Sequence, residues 1–520
     1  MTEVQKKALE SLKSIDREVY LLSHIGAALG WDQETYMPEE AVDERSEQGA
    51  LLSSLGHSRV ASDGLAEALE ALGAGDFLLT EQGWAQAENS LAPGLTETDR
   101  ALIRHVYRAH KRATCLPDSL VRELSQTTSK AQTVWAKARK QDDFESFRPY
   151  LEKIIDLKRQ EAEAVGYGDH PYDALLDTYE PGMKTAEVQQ VFDALGAELV
   201  PLVQAIKDAP QVDDSFLEKH YPVAGQEAFG YEVLNAMGYD LTRGRMDVTA
   251  HPFTTTLGTK DVRITTRYAE NFFKTGIFSI IHEGGHALYE QGFSPEIAGT
   301  SLADGTSLGI HESQSRTWEN MIGRSRPFWD HFLPRLASRF PENLKDVSSE
   351  AFYRGINKVE PSLIRVEADE VTYSLHVMLR FNLETRLITG EIAVKDLPEL
   401  WRQESRRLLG IEPAKDADGV LQDVHWSFGL FGYFPTYALG NIIGAQFFQV
   451  MEQQLPDLQN MISRGDFAPI LQWLRDAIHQ YGSAKTAGEL IRRITGGGLD
   501  SRPFMEYLRT KYRDVYRLSL

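Results

Sequence analysis

Residues 281–290 read IHEGGHALYE and contain the pattern His-Glu-x-x-His, with His282, Glu283 and His286 at its fixed positions. On a helix that turns about 100° per residue, the two histidines lie about 40° apart and one turn along the axis, so both imidazoles can reach one zinc ion. Glu283 lies on the neighbouring edge, where its carboxylate can accept a proton from a metal-activated water. The pattern therefore predicts a zinc site that hydrolyses peptide bonds.

The flanking residues bear on whether the pattern is a chance match, a real alternative in a chain with 14 histidines. An apolar stripe lies on the helix side opposite the two histidines and consists of Ile277, Ile280, Ile281, Ala287 and Leu288. A helix of this kind buries its apolar face in the core and has its histidines on the opposite face. This arrangement favours a metal site over histidines that are buried in the core. Gly284 and Gly285 each cost about 1 kcal/mol relative to alanine, which indicates close approach by a ligand or tight packing of another helix.

A catalytic zinc ion needs three protein ligands and one open position. The segment GIHESQSRTW supplies Glu312, 26 positions after His286, as the candidate for the third ligand. The competing candidates are Glu290, Glu296, Asp304, His311 and Glu319. Glu290 continues the same helix about 40° from His286 and could bond a ligand instead of the metal. Spacing alone leaves the choice open.

The overall composition excludes several other functions. The 520 residues include 76 acidic and 55 basic side chains, and the net charge of −21 disfavours binding to nucleic acid. The single cysteine, Cys115, excludes an intrachain disulfide and a thiolate metal cluster. The N-terminal segment lacks the apolar core of a signal peptide, and the longest weakly polar stretch, Thr436–Val450, is shorter than the ~20 residues of a membrane span. We therefore expect a cytoplasmic protein without membrane contact.

The elements that must position these residues are mostly helices. Apolar residues recur at helical spacing over Val4–Leu29 and Ala101–Ala138, and helical patterning resumes from Phe278 to the C-terminus. Helix breaks are predicted at Gly73–Gly75, Ala92–Gly94 and Glu180–Gly182. After the first 240 residues, the segment 246–268 is rich in Thr and Val and has a turn at Leu-Gly-Thr-Lys-Asp, which predicts a small hairpin. The predicted fold is mainly α, a large helical body with a small β-sheet beside the metal-binding helix.

The chain resembles the carboxypeptidase Taq family of zinc metallocarboxypeptidases, the thermostable carboxypeptidase 1 type, over most of its length. Its motifs recur in the family's order: WDQETYMP at 31–38, HPF at 251–253, Asp261-x-Arg263-x-Thr265, His282-Glu283-x-x-His286, HESQ at 311–314, Ile364-Arg365-x-x-Ala368-Asp369, Gly419-x-x-Gln422-Asp423-x-His425-Trp426 and GYFPTY at 432–437. Each motif alone is weak evidence, but their joint order is highly specific.

The resemblance implies a helical fold with a deep substrate groove, a homodimer, and removal of C-terminal residues from peptides with broad specificity. It also implies that Glu312 is the third metal ligand, that Glu283 is the general base, and that cobalt or another divalent ion can replace zinc. We expect residues 1–520 to form a single peptidase unit. Within it, residues 1–240 would be a helical lobe that covers the groove, and residues 241–520 would bind the metal and the substrate.

An exopeptidase must recognise a free carboxylate, and the planar fork of an arginine binds both carboxylate oxygens. The family motif supplies Arg365 as the candidate. Spacing alone favours an ordinary helix-surface pair of Arg365 with Asp369, worth only about 0.3–0.5 kcal/mol. The family match favours carboxylate binding instead, with Arg263 as the second candidate.

Several polar residues are candidates for stabilising the transition state. His425 could hold the oxyanion or the substrate backbone, and Tyr433 or Tyr437 could donate an O–H to it. The alternative is that these aromatic residues belong to the core. His251 could position substrate or cap the hairpin.

Two other functions compete with the carboxypeptidase prediction. An oligoendopeptidase of similar fold would share the metal helix but lack a carboxylate anchor. A helical binding protein with a structural metal would have a fourth protein ligand and no open position.

Overall fold

The computed structural model describes residues 1–75, 77 and 79–518. The α-helices in chain order are α1 (Glu3–Thr35), α2 (Val42–Val60), α3 (Asp63–Ala71), α4 (Glu81–Glu88), α5 (Glu97–Cys115), α6 (Asp118–Gln141), α7 (Phe144–Val165), α8 (Pro171–Leu176), α9 (Thr185–Asp208), α10 (Val223–Met237), α11 (Phe273–Glu290), α12 (Leu308–Arg316), α13 (Arg326–Arg339), α14 (Pro341–Leu344), α15 (Ser349–Ile356), α16 (Tyr373–Thr389), α17 (Leu397–Leu409), α18 (Pro435–Gln454), α19 (Leu458–Arg464), α20 (Ala468–Ala477), α21 (Ala487–Thr495) and α22 (Arg502–Tyr516). A π-helix at Thr317–Ile322 continues α12, and short 3₁₀ helices include Arg365–Glu367 and His425–Phe428. The mainly helical fold is confirmed.

The chain divides into two compact units, and each is discontinuous in sequence. The first consists of residues 1–113, 213–356 and 447–497, and the second of residues 114–212, 357–446 and 498–520. The His-Glu-x-x-His motif belongs to the first unit, whereas Arg365 and the aromatic segment 425–437 belong to the second. The predicted division of labour at about residue 240 stays a prediction.

The small sheet contains β1 (Met246–Val248), β2 (Thr254–Gly258) and β3 (Asp261–Thr266) in the order β1-β3-β2. Strands β2 and β3 form the predicted antiparallel hairpin, and β1 adds to the other edge of β3 in parallel. Val262 and Ile264 lie two residues apart on β3, so their side chains share one face of the strand. Both are fully buried, because β3 packs on α11. The sheet therefore supports helix α11, which carries the His-Glu-x-x-His motif.

Two predicted helix boundaries differ from the structure. The periodic stretch Ala101–Ala138 is two helices, because α5 ends at Cys115 and Pro117 precedes the first residue of α6. Helix α11 begins at Phe273 rather than at Phe278. Its apolar stripe is buried as predicted, with Ile280 and Ile281 fully inaccessible.

Candidate active site

Helices α11 and α12 bring His282, His286 and Glu312 together, and one ligand atom from each lies within 4.8 Å of the other two. The Nε2 atoms of His282 and His286 lie 3.6 and 3.4 Å from Glu312 Oε2. Ligands at about 2.0–2.1 Å from a tetrahedral metal ion are separated by roughly 3.3 Å. The three donors are thus spaced to hold one divalent cation.

The two glycines of the motif are explained by helix packing. A Cβ atom on Gly285 would lie 2.7 Å from Ser315 Cα and 2.9 Å from Gln314 O, both backbone atoms of α12. A Cβ atom on Gly284 would lie 2.8 Å from a methyl group of Leu234 on α10. Gly285 therefore permits the close approach of the helix that carries Glu312.

A second carboxylate orients the ring of His282. Its Nδ1 lies 2.9 Å from Glu319 Oε2, and Glu319 also accepts from Arg316 and Arg324 at 3.2 and 2.8 Å. Glu319 lies in the π-helix, an irregularity that is frequent at functional sites. Burial would raise the pKa of Glu319, but Arg316, His282 and Arg324 outweigh it and hold that pKa well below its usual range. The ionised Glu319 orients the ring of His282 with Nε2 facing Glu312, which is the orientation that a metal ligand needs.

The electrostatic surroundings of the candidate ligands suit a cation. Burial lowers the pKa of His286 to about 3, with His311 nearby adding to the effect, so its imidazole is neutral at pH 7. Burial would raise the pKa of Glu312, but Arg316, His282 and His286 hold it well below its usual value. Burial also opposes protonation of His282, yet Glu312 and Glu319 raise its pKa, and the same carboxylates favour a metal cation at that position.

Glu283 lies beside this group and is held by the sheet. Its Oε2 accepts a hydrogen bond of 2.7 Å from Thr254 Oγ1 on β2, and only 7% of the residue is exposed. Burial raises the pKa of Glu283 against the opposing effects of His282 and Thr254. A carboxylate with a raised pKa is a better proton acceptor near neutral pH, which fits a general base.

The competing ligand candidates have other surroundings. Glu290 accepts from His311 Nε2 at 2.6 Å, and Glu319 is engaged with the outer nitrogen of His282. Glu296 is exposed. Asp304 has a pKa that burial and the nearby Glu290 raise to about 6. None of these belongs to the group of three donors found among the described residues.

In the second unit, Arg365 is buried and engaged on both edges of its guanidinium. Nε and Nη2 donate to Asp423 Oδ1 at 3.0 and 2.9 Å, and Nη1 donates to Tyr373 Oη at 3.0 Å. Arg380, also fully buried, donates to Asp423 Oδ2 at 2.6 Å. Two guanidinium groups thus share one carboxylate, which leaves one positive charge of these three side chains without a counter-charge.

The ordinary surface pair of Arg365 with Asp369 is not formed. Arg365 lies in a short 3₁₀ helix, and Asp369 accepts from backbone amides of Glu360, Val371 and Thr372. Arg365 is positioned instead by Gln422, whose side-chain oxygen accepts from its backbone amide at 2.9 Å. The IRVEAD and GxxQDxHW motifs therefore form a single packed structure.

The aromatic candidates lie around Arg365. The ring of His425 is 5.4 Å from Tyr433 and 6.5 Å from Tyr437, and Arg365 lies 5.1 Å from the Tyr437 ring. Burial lowers the pKa of His425 to about 4, and Arg365 contributes to this. Its buried Nδ1 has no hydrogen-bond partner among the described residues, and a substrate group is one partner that would satisfy it.

Sequence reasoning missed Glu384, which anchors this aromatic segment. It is fully buried on α16 and accepts from Tyr172 Oη at 2.5 Å, Trp426 Nε1 at 2.7 Å and Gly432 N at 3.1 Å. Burial raises the pKa of Glu384 to about 7. No family motif quoted above contains it, so the sequence offered no signal.

The remaining two candidates lie beside the sheet. Arg263 donates twice to Asp261, at 2.8 and 2.7 Å, and its guanidinium lies 4.3 Å from the ring centroid of Trp31. The charge of Arg263 is therefore balanced by the carboxylate of Asp261, whereas Arg365 shares the carboxylate of Asp423 with Arg380. The side chain of His251 is exposed, and its carbonyl accepts from Thr249 Oγ1 at 2.8 Å.

The model of the Carboxypeptidase Taq (M32) metallopeptidase family matches residues 11–512. The chain belongs to this family. It is 44% identical to thermostable carboxypeptidase 1 of Thermus thermophilus over 98% of this chain and 99% of that protein, and 39% identical to carboxypeptidase 1 of Bacillus subtilis over 99% of each. It superimposes on the crystal structure of an M32 carboxypeptidase from Deinococcus radiodurans R1 with a TM-score of 0.93 and 39% identity, covering 98% of this chain and all of that one.

This M32 member is accordingly a metallocarboxypeptidase, a hydrolase of peptide substrates that depends on a divalent metal. The main prediction from the sequence is confirmed, and the oligoendopeptidase alternative is not supported. Among the described residues, no helix combines the length and the apolar composition that a membrane span requires.

Proposed function

We propose that this metallocarboxypeptidase binds zinc through His282, His286 and Glu312, uses Glu283 as its general base and anchors the substrate's C-terminal carboxylate on Arg365. The observation that carries the proposal is the donor group itself. Two imidazole nitrogens and one carboxylate oxygen lie within 4.8 Å of one another, and this number and kind of donors match a catalytic rather than a structural zinc site. Cobalt or another divalent ion would fit the same donors.

When bound, zinc supplies a Lewis acid that lowers the pKa of a coordinated water towards ~7 and polarises the scissile carbonyl. Glu283 accepts the proton of the attacking water at its carboxylate. Thr254 keeps that carboxylate in place through the bond to Oε2. Glu283 then gives the proton to the leaving amine, which completes one cycle of general base and general acid catalysis.

Arg365 is proposed as the anchor because its cluster holds an excess positive charge. Arg380 is fully buried and keeps Asp423 occupied, while Arg365 Nη1 has only the neutral Tyr373 hydroxyl as its described partner. A substrate carboxylate would provide the missing counter-charge and accept a charge-assisted hydrogen bond. Cleavage would then be limited to the terminal bond, and broad specificity would follow because the anchor contacts no substrate side chain.

Neutral His425 and either Tyr433 or Tyr437 are proposed to donate hydrogen bonds to the developing oxyanion or to the substrate backbone. Arg263 and His251 are proposed as substrate contacts beside the sheet, with Arg263 as the second choice for the carboxylate. The division into residues 1–240 as a covering lobe and 241–520 as the metal and substrate part belongs to the same proposal.

A homodimer and a cytoplasmic location are also proposed. The family resemblance supports the dimer, and a single cysteine in 520 residues suits a reducing compartment. Light scattering on the purified protein and fractionation of the source cells test these two points.

The proposed site is tested by metal analysis of the wild type and of Glu312→Ala, each dialysed against buffered zinc. We expect one zinc per wild-type chain, loss of activity on chelation and recovery on zinc addition. Glu312→Ala should lose metal as well as activity, because two histidines alone bind zinc poorly. Full zinc occupancy in Glu312→Ala would show that the third ligand is another residue.

A further inference from the structure

The outer nitrogen of His286 has an unusual neighbour. Whereas His282 Nδ1 faces the Glu319 carboxylate directly, His286 Nδ1 lies 2.5 Å from His311 Nδ1. The other nitrogen of His311, Nε2, lies 2.6 Å from Glu290 Oε1. A chain of two rings thus leads from His286 to a carboxylate one turn further along α11.

The protons in this chain can be placed by counting donors and acceptors. A zinc-bound His286 Nε2 must offer its lone pair, so the neutral ring carries its proton on Nδ1 and donates it. For His311 Nδ1 to accept this hydrogen bond, the His311 ring must carry its proton on Nε2. That proton points at Glu290 Oε1, and a carboxylate oxygen is a natural acceptor for it. With these positions, each proton that lies between two of the side chains His286, His311 and Glu290 has one donor and one acceptor.

The surroundings hold the chain in this register. Thr256 Oγ1 donates to the second oxygen of Glu290 at 3.1 Å, which aims Oε1 at His311. The ring of His311 packs edge-on against Tyr289, with centroids 5.2 Å apart. A Cβ atom on Gly305 would lie only 2.6 Å from this ring, so the glycine leaves space for it.

We propose that Glu290 is a positioning residue of the metal centre that acts on His286 through His311. This inference rests on the proposed ligand role of His286. It assigns His311 as a relay rather than a metal ligand. His282 receives the same support from Glu319 without a relay, so the two ligating histidines are oriented by independent routes.

The test is the zinc affinity of the apoprotein, measured by competition with a chromophoric chelator. Loss of an outer-shell partner typically costs 10- to 100-fold in metal affinity. We expect Glu290→Ala and His311→Phe each to lose about that much, and the double variant to lose no more than His311→Phe alone, because both act through one path. Glu290→Gln should lose less than Glu290→Ala, since its amide oxygen still accepts from His311. Additive losses in the double variant, or wild-type affinity in either single variant, would overturn the relay.

Two controls separate this inference from the proposed site and from misfolding. Combining Glu319→Gln with Glu290→Ala should give additive losses, because these carboxylates serve different histidines. The visible absorption of the cobalt-loaded protein should change in Glu290→Ala, while the melting temperature measured with chelator stays near wild type. Retention of zinc by His286→Ala would reject the ligand assignment itself. Loss of zinc in His286→Ala with wild-type affinity in Glu290→Ala would reject only the relay.

Discussion

Replacing Gly285 by alanine should damage the metal site although residue 285 touches no metal ligand atom. The added Cβ would lie 2.7 Å from Ser315 Cα, whereas ordinary van der Waals contact begins at 3.4 Å. Because the contact is with backbone, α12 must shift by roughly 0.7 Å or more to restore normal packing. Glu312 lies three residues before Ser315 on the same helix and moves with it. Metal–ligand distances tolerate only about 0.2 Å, so we expect the zinc affinity of Gly285→Ala to fall at least tenfold.

Gly284→Ala is a matched control on the same helix. Both substitutions remove a helix cost of about 1 kcal/mol, so any gain in helix propensity is shared. The Cβ at position 284 would meet side-chain atoms of Leu234 at 2.8 Å and Met237 at 3.2 Å, on α10 rather than α12. Flexible side chains can move aside at little cost. Zinc affinity of Gly284→Ala should therefore stay within a few-fold of wild type.

The assay is the zinc dissociation constant of both variants by chelator competition, with melting temperatures recorded in excess chelator. Gly285→Ala should bind zinc more weakly than Gly284→Ala even if the two apoproteins are equally stable. Equal zinc affinities would refute the claim that backbone contact at Gly285 sets the position of Glu312.

Two further predictions concern the second unit. Arg365→Ala should reduce kcat/KM for free-acid peptides by roughly ten- to a hundred-and-fifty-fold, which is the value of a charge-assisted contact. The preference for free-acid peptides over C-terminal amides should fall by a similar factor, and Arg365→Lys should recover part of the loss. An unchanged preference in Arg365→Ala would move the anchor to Arg263. Burial raises the pKa of Glu384 to about 7, so the folded protein favours the protonated side chain. The contribution of Glu384 to the free energy of unfolding is therefore complete below the unfolded-state pKa of about 4.3 and is lost as the pH rises to 7. The melting temperature of Glu384→Gln relative to wild type should therefore increase between pH 5 and pH 8, and a constant difference would contradict the raised pKa.

The sequence predicted those parts of the site that depend on local periodicity. His-Glu-x-x-His sets the two proposed ligands and the proposed base close together on one helix, and the structure brings the two histidines together with Glu312 as that spacing requires. The high content of Thr and Val over 246–268, with its Leu-Gly-Thr-Lys-Asp turn, likewise predicted the hairpin. Glu312 needed the family resemblance, because loop length cannot say which of several acidic residues returns to the metal.

What the sequence could not provide are partners that approach through tertiary packing. Asp423 lies 58 residues from Arg365, and Glu319 lies 37 residues from His282. Glu384 carries no motif, and its function as an anchor emerges only when α8, α16 and the 425–432 segment converge on it. The sequence predicts a close approach at Gly284 and Gly285 but leaves a ligand and a helix as alternatives, and only the fold identifies the two neighbouring helices α10 and α12.

The most direct test of the catalytic site is Glu283→Gln, with zinc content and turnover measured on the same preparation. The substitution preserves shape and the bond from Thr254 but removes the proton acceptor. We predict wild-type zinc content and a turnover lower by about 10²- to 10⁴-fold, the usual contribution of a general base. Wild-type zinc content with turnover within a few-fold of the native enzyme would contradict the role of Glu283 and the mechanism built on it.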